Sequence, residues 1–205
     1  MKKVLCFGDS NTYGFNPENG GRYSKNERWS GVLSAMLGKE WTIIEAGCNN
    51  RTAFSDSPEG LEKTGYKSLI NYLDKDITHV VLAIGINDLQ KIYNPTLEEF
   101  YVGIKKLVNI VRENTDNTKI ILCSPSVINE DILNSWFVSL FDECAIEKSL
   151  KLSEIYQRVS LECDCLFLDL NKIVTVSQID GLHYSVDAHK QIAETLSGTL
   201  TSSYY

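Results

Sequence analysis

The run His79-Val80-Val81-Leu82-Ala83-Ile84 constrains this chain more than any other stretch. It is almost wholly apolar and rich in β-branched residues, so it reads as a strand buried on both faces. Strands covered on both faces belong to parallel sheets with helices above and below. Four shorter runs have the same character: Val4 to Phe7, Trp41 to Glu45, Lys119 to Cys123 and Cys165 to Leu168.

Between these runs the apolar residues recur at helical spacing. Trp29, Val32, Leu33, Met36 and Leu37 form one face, with Gly38 as a stop. Leu61, Tyr66, Leu69, Ile70 and Leu73 suggest a second helix within residues 60–73. Thr96 with Glu99 makes a capping box before a long helix carrying Leu97, Phe100, Tyr101, Ile104, Leu107, Val108 and Val111. Residues 130–160 are helical but irregular. A last helix, over about 185–200, turns Ala188, Ile192, Ala193, Leu196 and Leu200 inward. Five alternations of strand and helix predict an α/β fold with a five-stranded parallel sheet and helices on both faces. No linker or repeat divides the chain, so residues 1–205 are read as one domain. The ending Ser202-Ser203-Tyr204-Tyr205 is expected to fray.

In a parallel sheet the carboxyl ends of the strands share one edge, and ligands bind there. Here that edge collects polar residues from across the chain. The first run leads into Gly8-Asp9-Ser10, the second into Gly47 and then Asn50, the third into Gly85-Ile86-Asn87-Asp88, and the fifth into Asp180-Gly181-Leu182-His183. A serine is a usable nucleophile only beside a base. The base needs a carboxylate to set its tautomer, and the reaction needs donors aimed at the developing oxyanion. Ser10, His183 and Asp180 are the candidates for these catalytic roles. Ser10, the loop after Gly47 and Asn87 are the candidate oxyanion donors, supported by Asp9, Gly47, Gly85 and Asp88. Each residue taken singly has a plainer reading: a turn serine, an Asx-type helix start at Asn87-Asp88, a turn pair at Asp180-Gly181. Their convergence on one edge favours the chemical reading. His79 and His189 lie outside the cluster and read as structural.

Composition narrows the partners. The net charge of -7 and the scattered basic residues argue against nucleic acid. No apolar run is long enough for a membrane span or a signal-peptide core, so a cytoplasmic location is expected. The six cysteines then read as free thiols. Cys163-Asp164-Cys165 lacks the spacing of a zinc knuckle, and no nucleotide-binding glycine motif occurs, so neither a metal nor a cofactor is expected.

Gly8-Asp9-Ser10, Gly85-Ile86-Asn87-Asp88 and Asp180-Gly181-Leu182-His183 together resemble the motif blocks of the GDSL, or SGNH, hydrolase family, in family order. Glu27 to Leu33, Ile44 to Gly47 and Arg51-Thr52 are similar to its arylesterase and acyltransferase branch. The resemblance implies a three-layer α/β/α flavodoxin-like sandwich with strand order 2-1-3-4-5. It implies a serine esterase of small carboxylic esters, with Ser10 as nucleophile, His183 as base, Asp180 as its orienting carboxylate and Asn87 as oxyanion donor. Asn50 stands where the family commonly has an oxyanion glycine. A backbone N–H serves with any side chain, and asparagine tolerates positive φ. The Asn50 side chain is expected to crowd the acyl pocket and favour acetyl over longer esters. A carbohydrate O-deacetylase, an alcohol acyltransferase and a non-catalytic binding module on the same fold are the competing readings. The patch Trp136-Phe137-Leu140-Phe141 is open between core packing, an acyl pocket and a homo-oligomer contact.

Overall fold

The computed structural model describes residues 1–202; Ser203, Tyr204 and Tyr205, expected to fray, lie outside the described residues. Five strands, β1 (Lys2–Gly8), β2 (Trp41–Gly47), β3 (His79–Ala83), β4 (Lys119–Ser124) and β5 (Leu166–Asp169), form one sheet. Its order is β2-β1-β3-β4-β5, with every pairing parallel. Seven α-helices connect them among the described residues: α1 (Ser10–Tyr13), α2 (Trp29–Leu37), α3 (Gly65–Ser68), α4 (Leu97–Asn114), α5 (Glu143–Ser149), α6 (Leu152–Glu162) and α7 (Val186–Thr201). None is long and apolar enough to cross a membrane.

Alternation along each strand divides the core in two. Leu5, Phe7, Val80, Leu82, Ile120 and Leu122 face α4 and α6, where Phe100, Ile104, Leu107, Val111, Tyr156 and Val159 are buried. Val4, Cys6, Val81, Ile121 and Cys123 face α2 and α7, against Trp29, Leu33, Ile192 and Leu196. Each large apolar side chain so buried contributes roughly 1.5–3 kcal/mol. The Thr96–Glu99 capping box is formed at the start of α4.

Residues 60–73 depart from the sequence expectation. They fold as a 3-10 turn, the four-residue α3 and a second 3-10 turn, and Leu61 and Ile70 face solvent. The cause is the neighbouring loop. The carbonyls of Thr52 and Ala53 accept the N–H groups of Gly65 and Tyr66 at 2.9 Å each, so α3 begins where that loop docks rather than at Gly60.

Register fixes the height of the site. Gly8 pairs with Gly47 on one side and Ala83 on the other, so three chain segments leave the sheet at one level. Arg28, at the N-cap of α2, and Ser30, in its first turn, clamp Glu45 of β2: Arg28 Nε and Nη2 donate to its carboxylate at 2.6 and 2.9 Å, and Ser30 Oγ at 2.6 Å. The two sequence stretches that narrowed the resemblance thus meet across the layer.

Candidate active site

β1 ends at Gly8, and the chain turns at once into α1. Asp9 caps this short helix by accepting the N–H of Asn11 at 2.9 Å, and Ser10 is its first residue. The turn presses on the sheet, with Thr12 Oγ1 donating to the Ala83 carbonyl at 3.3 Å. A Cβ at Gly8 would occupy the space of both groups, which is why the strand must end in glycine.

Gly181 adopts φ +71° and bends Asp180-Gly181-Leu182-His183 into a tight turn. Asp180 Oδ1 accepts the N–H groups of Leu182 and His183 at 3.0 and 2.9 Å. Its Oδ2 lies 2.7 Å from His183 Nδ1, and His183 Nε2 lies 2.8 Å from Ser10 Oγ. A carboxylate facing Nδ1 places the proton there, leaving Nε2 free to accept from the serine hydroxyl. Burial works to raise the Asp180 carboxyl, but the hydrogen bonds from His183 and from the turn outweigh it, and its pKa lies below the usual value. The imidazole is packed by Phe15 and Phe137, with ring centroids 4.3 and 5.2 Å away.

The third group of residues follows β2 and β3. Asn87 Nδ2 donates to the Arg51 carbonyl at 3.0 Å, and its Oδ1 accepts from Gln90 Nε2 at 3.1 Å. Asn50 has φ +61°, the left-handed conformation that a glycine would adopt without cost. Its side chain does not project freely. Oδ1 accepts from Gln90 Nε2 at 2.6 Å, and Nδ2 donates to Glu59. Among the described residues the backbone N–H groups of Ser10 and Asn50 have no acceptor.

Asp88 turns away from the cavity. It is fully buried and accepts the N–H groups of Ala53, Phe54 and Ser55 at 2.6, 3.1 and 2.9 Å. Burial raises its pKa to about 6 against the pull of these donors. Arg51 is buried too. Its guanidinium reaches the carbonyls of Gly8 and Ala46 at 3.1 and 2.6 Å, pairs with Glu62, and stacks over Phe7 at 4.4 Å. Gly47 lies against the α1 backbone with no room for a Cβ, and Gly85 has φ +131° beneath the Tyr156 hydroxyl.

Ser10, His183, Asn50 and Asn87 line a cavity of about 200 Å³, with Phe15, Phe137, Leu140 and Phe141 as its apolar wall. This resolves much of the aromatic patch: Phe137 and Leu140 line the cavity, Phe141 joins it to the core, and Trp136 is exposed. A larger cavity, about 590 Å³, opens at the amino edge between Lys2, His79 and Lys119, far from any serine–histidine pair. His79 begins β3, and His189 is fully buried in α7, where its Nδ1 accepts the Trp29 N–H at 3.3 Å and so caps α2.

The structure therefore brings Ser10, His183, Asn50 and Asn87 to one cavity, with Asp180 behind His183. Sequence reasoning missed Asn11 and Gln90. Asn11 ties the turn at Ser10 to the His183 turn, donating to the Leu182 carbonyl and accepting from the Tyr184 N–H, both at 3.2 Å. Neither residue shows a periodic signal, although a polar residue directly after a nucleophile is a reasonable place to look.

The model of the GDSL-like lipase/acylhydrolase family matches residues 6–191. The chain belongs to that family. It is therefore a carboxylic ester hydrolase by family, on the SGNH fold. No curated protein matches this GDSL-like hydrolase by sequence. Among solved structures it is similar to a carbohydrate acetylesterase family member from Sinorhizobium meliloti, with 31% identity, a TM-score of 0.89 and coverage of 98% of this chain and 97% of that one. Another carbohydrate acetylesterase from Sinorhizobium meliloti shares 27% identity at a TM-score of 0.89, covering 98% of each chain. The native aryl esterase of M. smegmatis shares 26% identity at a TM-score of 0.87, also covering 98% of each.

Proposed function

We propose that this hydrolase is a serine esterase of small short-acyl esters, acting through Ser10, His183 and Asp180. One observation carries the reading: the hydrogen bonds at 2.7 and 2.8 Å that join Asp180, His183 and Ser10 at the wall of a cavity. Ser10 Oγ attacks the ester carbonyl as His183 Nε2 takes its proton, and Asp180 stabilises the imidazolium. The oxyanion is received by the N–H groups of Ser10 and Asn50 and by the second N–H of the Asn87 amide. His183 returns the proton to the leaving alcohol, and water, activated by the same base, releases the acyl group. Side chains, backbone N–H groups and water supply every step.

The cavity supports the short-acyl preference. At about 200 Å³ it is smaller than most ligand pockets, and its wall of Phe137, Leu140 and Phe141 suits a small apolar acyl group. The similarity to carbohydrate acetylesterases favours a second reading, removal of acetyl groups from sugars. Comparing acetylated sugars with aryl acetates separates the two. For the shared mechanism the test is labelling by a fluorophosphonate. The wild-type protein should react and Ser10→Ala should not; a labelled Ser10→Ala variant overturns the assignment.

A further inference from the structure

We propose that Gln90 is the positioning residue that sets the spacing of the oxyanion donors, an inference that rests on the esterase reading above. Gln90 is almost fully buried, and its Nε2 makes both of the hydrogen bonds it can donate. One goes to Asn50 Oδ1 at 2.6 Å, the other to Asn87 Oδ1 at 3.1 Å. A single nitrogen therefore joins the two residues whose N–H groups, with that of Ser10, surround the site of the developing charge.

Each bond removes one freedom. An asparagine amide can present either end to a partner. With its Oδ1 held by Gln90, Asn87 must turn Nδ2 toward the Arg51 carbonyl, 3.0 Å away, which leaves its second N–H for the substrate. A flipped Asn87 would point a carbonyl oxygen at an oxyanion. At Asn50 the strut acts on the backbone. The left-handed conformation at φ +61° is held from both ends of the side chain, by Gln90 and by Glu59. That conformation orients the Asn50 N–H, which has no acceptor among the described residues. A glycine at position 50 would have no side chain for Gln90 to hold, so the asparagine and the glutamine work as a pair.

Gln90→Met keeps the volume and removes the donor; Gln90→Glu keeps the shape and replaces the donor with an acceptor. Both should lower kcat on phenyl acetate roughly 10- to 100-fold, as loss of aligned oxyanion donors does, while KM stays within about threefold. Adding Asn50→Ala to Gln90→Met should lower kcat further by much less than Asn50→Ala does alone, because the two act through one strut. Thermal unfolding of each variant identifies which of the two is folded at the assay temperature. Wild-type kcat in a folded variant, a loss confined to KM, or additive effects in the double variant overturns the proposal. Ser10→Ala is measured alongside. An active Ser10→Ala brings down the esterase reading itself, whereas an inactive Ser10→Ala with wild-type Gln90 variants brings down this inference alone.

Discussion

Asn11 Nδ2 donates to the carbonyl oxygen of Leu182 at 3.2 Å, joining residues 171 positions apart in the chain. The bond is returned by the Tyr184 N–H to Asn11 Oδ1. The residue beside the proposed nucleophile thus holds both flanks of the proposed base, whose Nε2 lies 2.8 Å from Ser10 Oγ. Asn11→Ala should lower kcat/KM for an aryl acetate by roughly 10- to 100-fold, since sub-ångström misplacement of a base is that costly. Most of the loss should fall on kcat. A variant with wild-type kcat would show that the turn holds His183 without this clamp.

The acyl wall makes a size prediction. Acetyl esters should be hydrolysed faster than hexanoyl esters, because Phe137, Leu140 and Phe141 close the cavity. Leu140→Ala should raise the hexanoyl-to-acetyl ratio of kcat/KM by about tenfold, the range that a few methylenes command in an apolar pocket. A wild-type enzyme equally fast on both esters would remove the cavity as the source of selectivity.

Asp9 gives a dependence of stability on pH. Burial raises its pKa to about 7, with the Asn11 N–H and Arg51 opposing. In the unfolded chain the carboxyl ionises at its ordinary value of 3.8, so the favourable contribution is complete below that pH and is lost as pH rises to about 7. Asp9→Asn keeps a capping oxygen and cannot ionise. Its stability relative to wild type should therefore be higher at pH 8 than at pH 4, by up to about 4 kcal/mol at roughly 1.4 kcal/mol per unit. Chemical denaturation at the two pH values measures this, and a constant difference would refute it. His189 works in the other direction. Burial lowers its pKa from the ordinary 6.5 to about 4, so its contribution is present above 6.5 and lost as pH falls toward 4. The two groups oppose each other between about pH 4 and 6.5; Asp88, raised to about 6, adds to the slope of Asp9, and His79, lowered to about 4, adds to that of His189.

Glu45 holds α2 to β2, and the Arg28 hydrogen bonds depress its pKa in spite of partial burial. Glu45→Ala leaves Arg28 facing the sheet without its carboxylate, with only its Nη1 bond to the Tyr23 carbonyl at 3.2 Å. It should cost about 2 kcal/mol, or roughly 4–8 °C in melting temperature for a chain of this size. An unchanged melting temperature would mean that solvent replaces the carboxylate at no cost.

What could be read in the sequence was local. The apolar run at His79 to Ile84 and the Thr96–Glu99 box declare themselves within a few residues, and alternation of five such runs dictates the layers. The turn at Asp180 to His183 was legible because its glycine permits the bend that brings Asp180 to the imidazole. Residues 60–73 misled because helical spacing there carries exposed Leu61 and Ile70, and the decisive partner is the backbone of Thr52 and Ala53. Gln90 was hidden for a related reason. Its role is defined by Asn50, forty positions earlier, and no pattern around Leu89 announces it. Asn50 itself was readable as a backbone conformation but not as a side chain tied at both ends.

The Asp88 carboxylate fastens residues 53–55 to the strand end that carries Asn87. The loop of Asn50 and the turn of Asn87 are thereby parts of one mechanical body, while Ser10 rides on the neighbouring strand. In the proposed mechanism, small breathing motions between β1 and β3 would carry the Ser10 hydroxyl and its N–H together relative to Asn50 and Asn87, and would leave the distance between those two residues almost unchanged. The Asn50–Asn87 spacing would then survive such motion, and the approach of Ser10 would be the coordinate that varies, within the limits set by the Thr12–Ala83 and Arg51–Gly8 bonds.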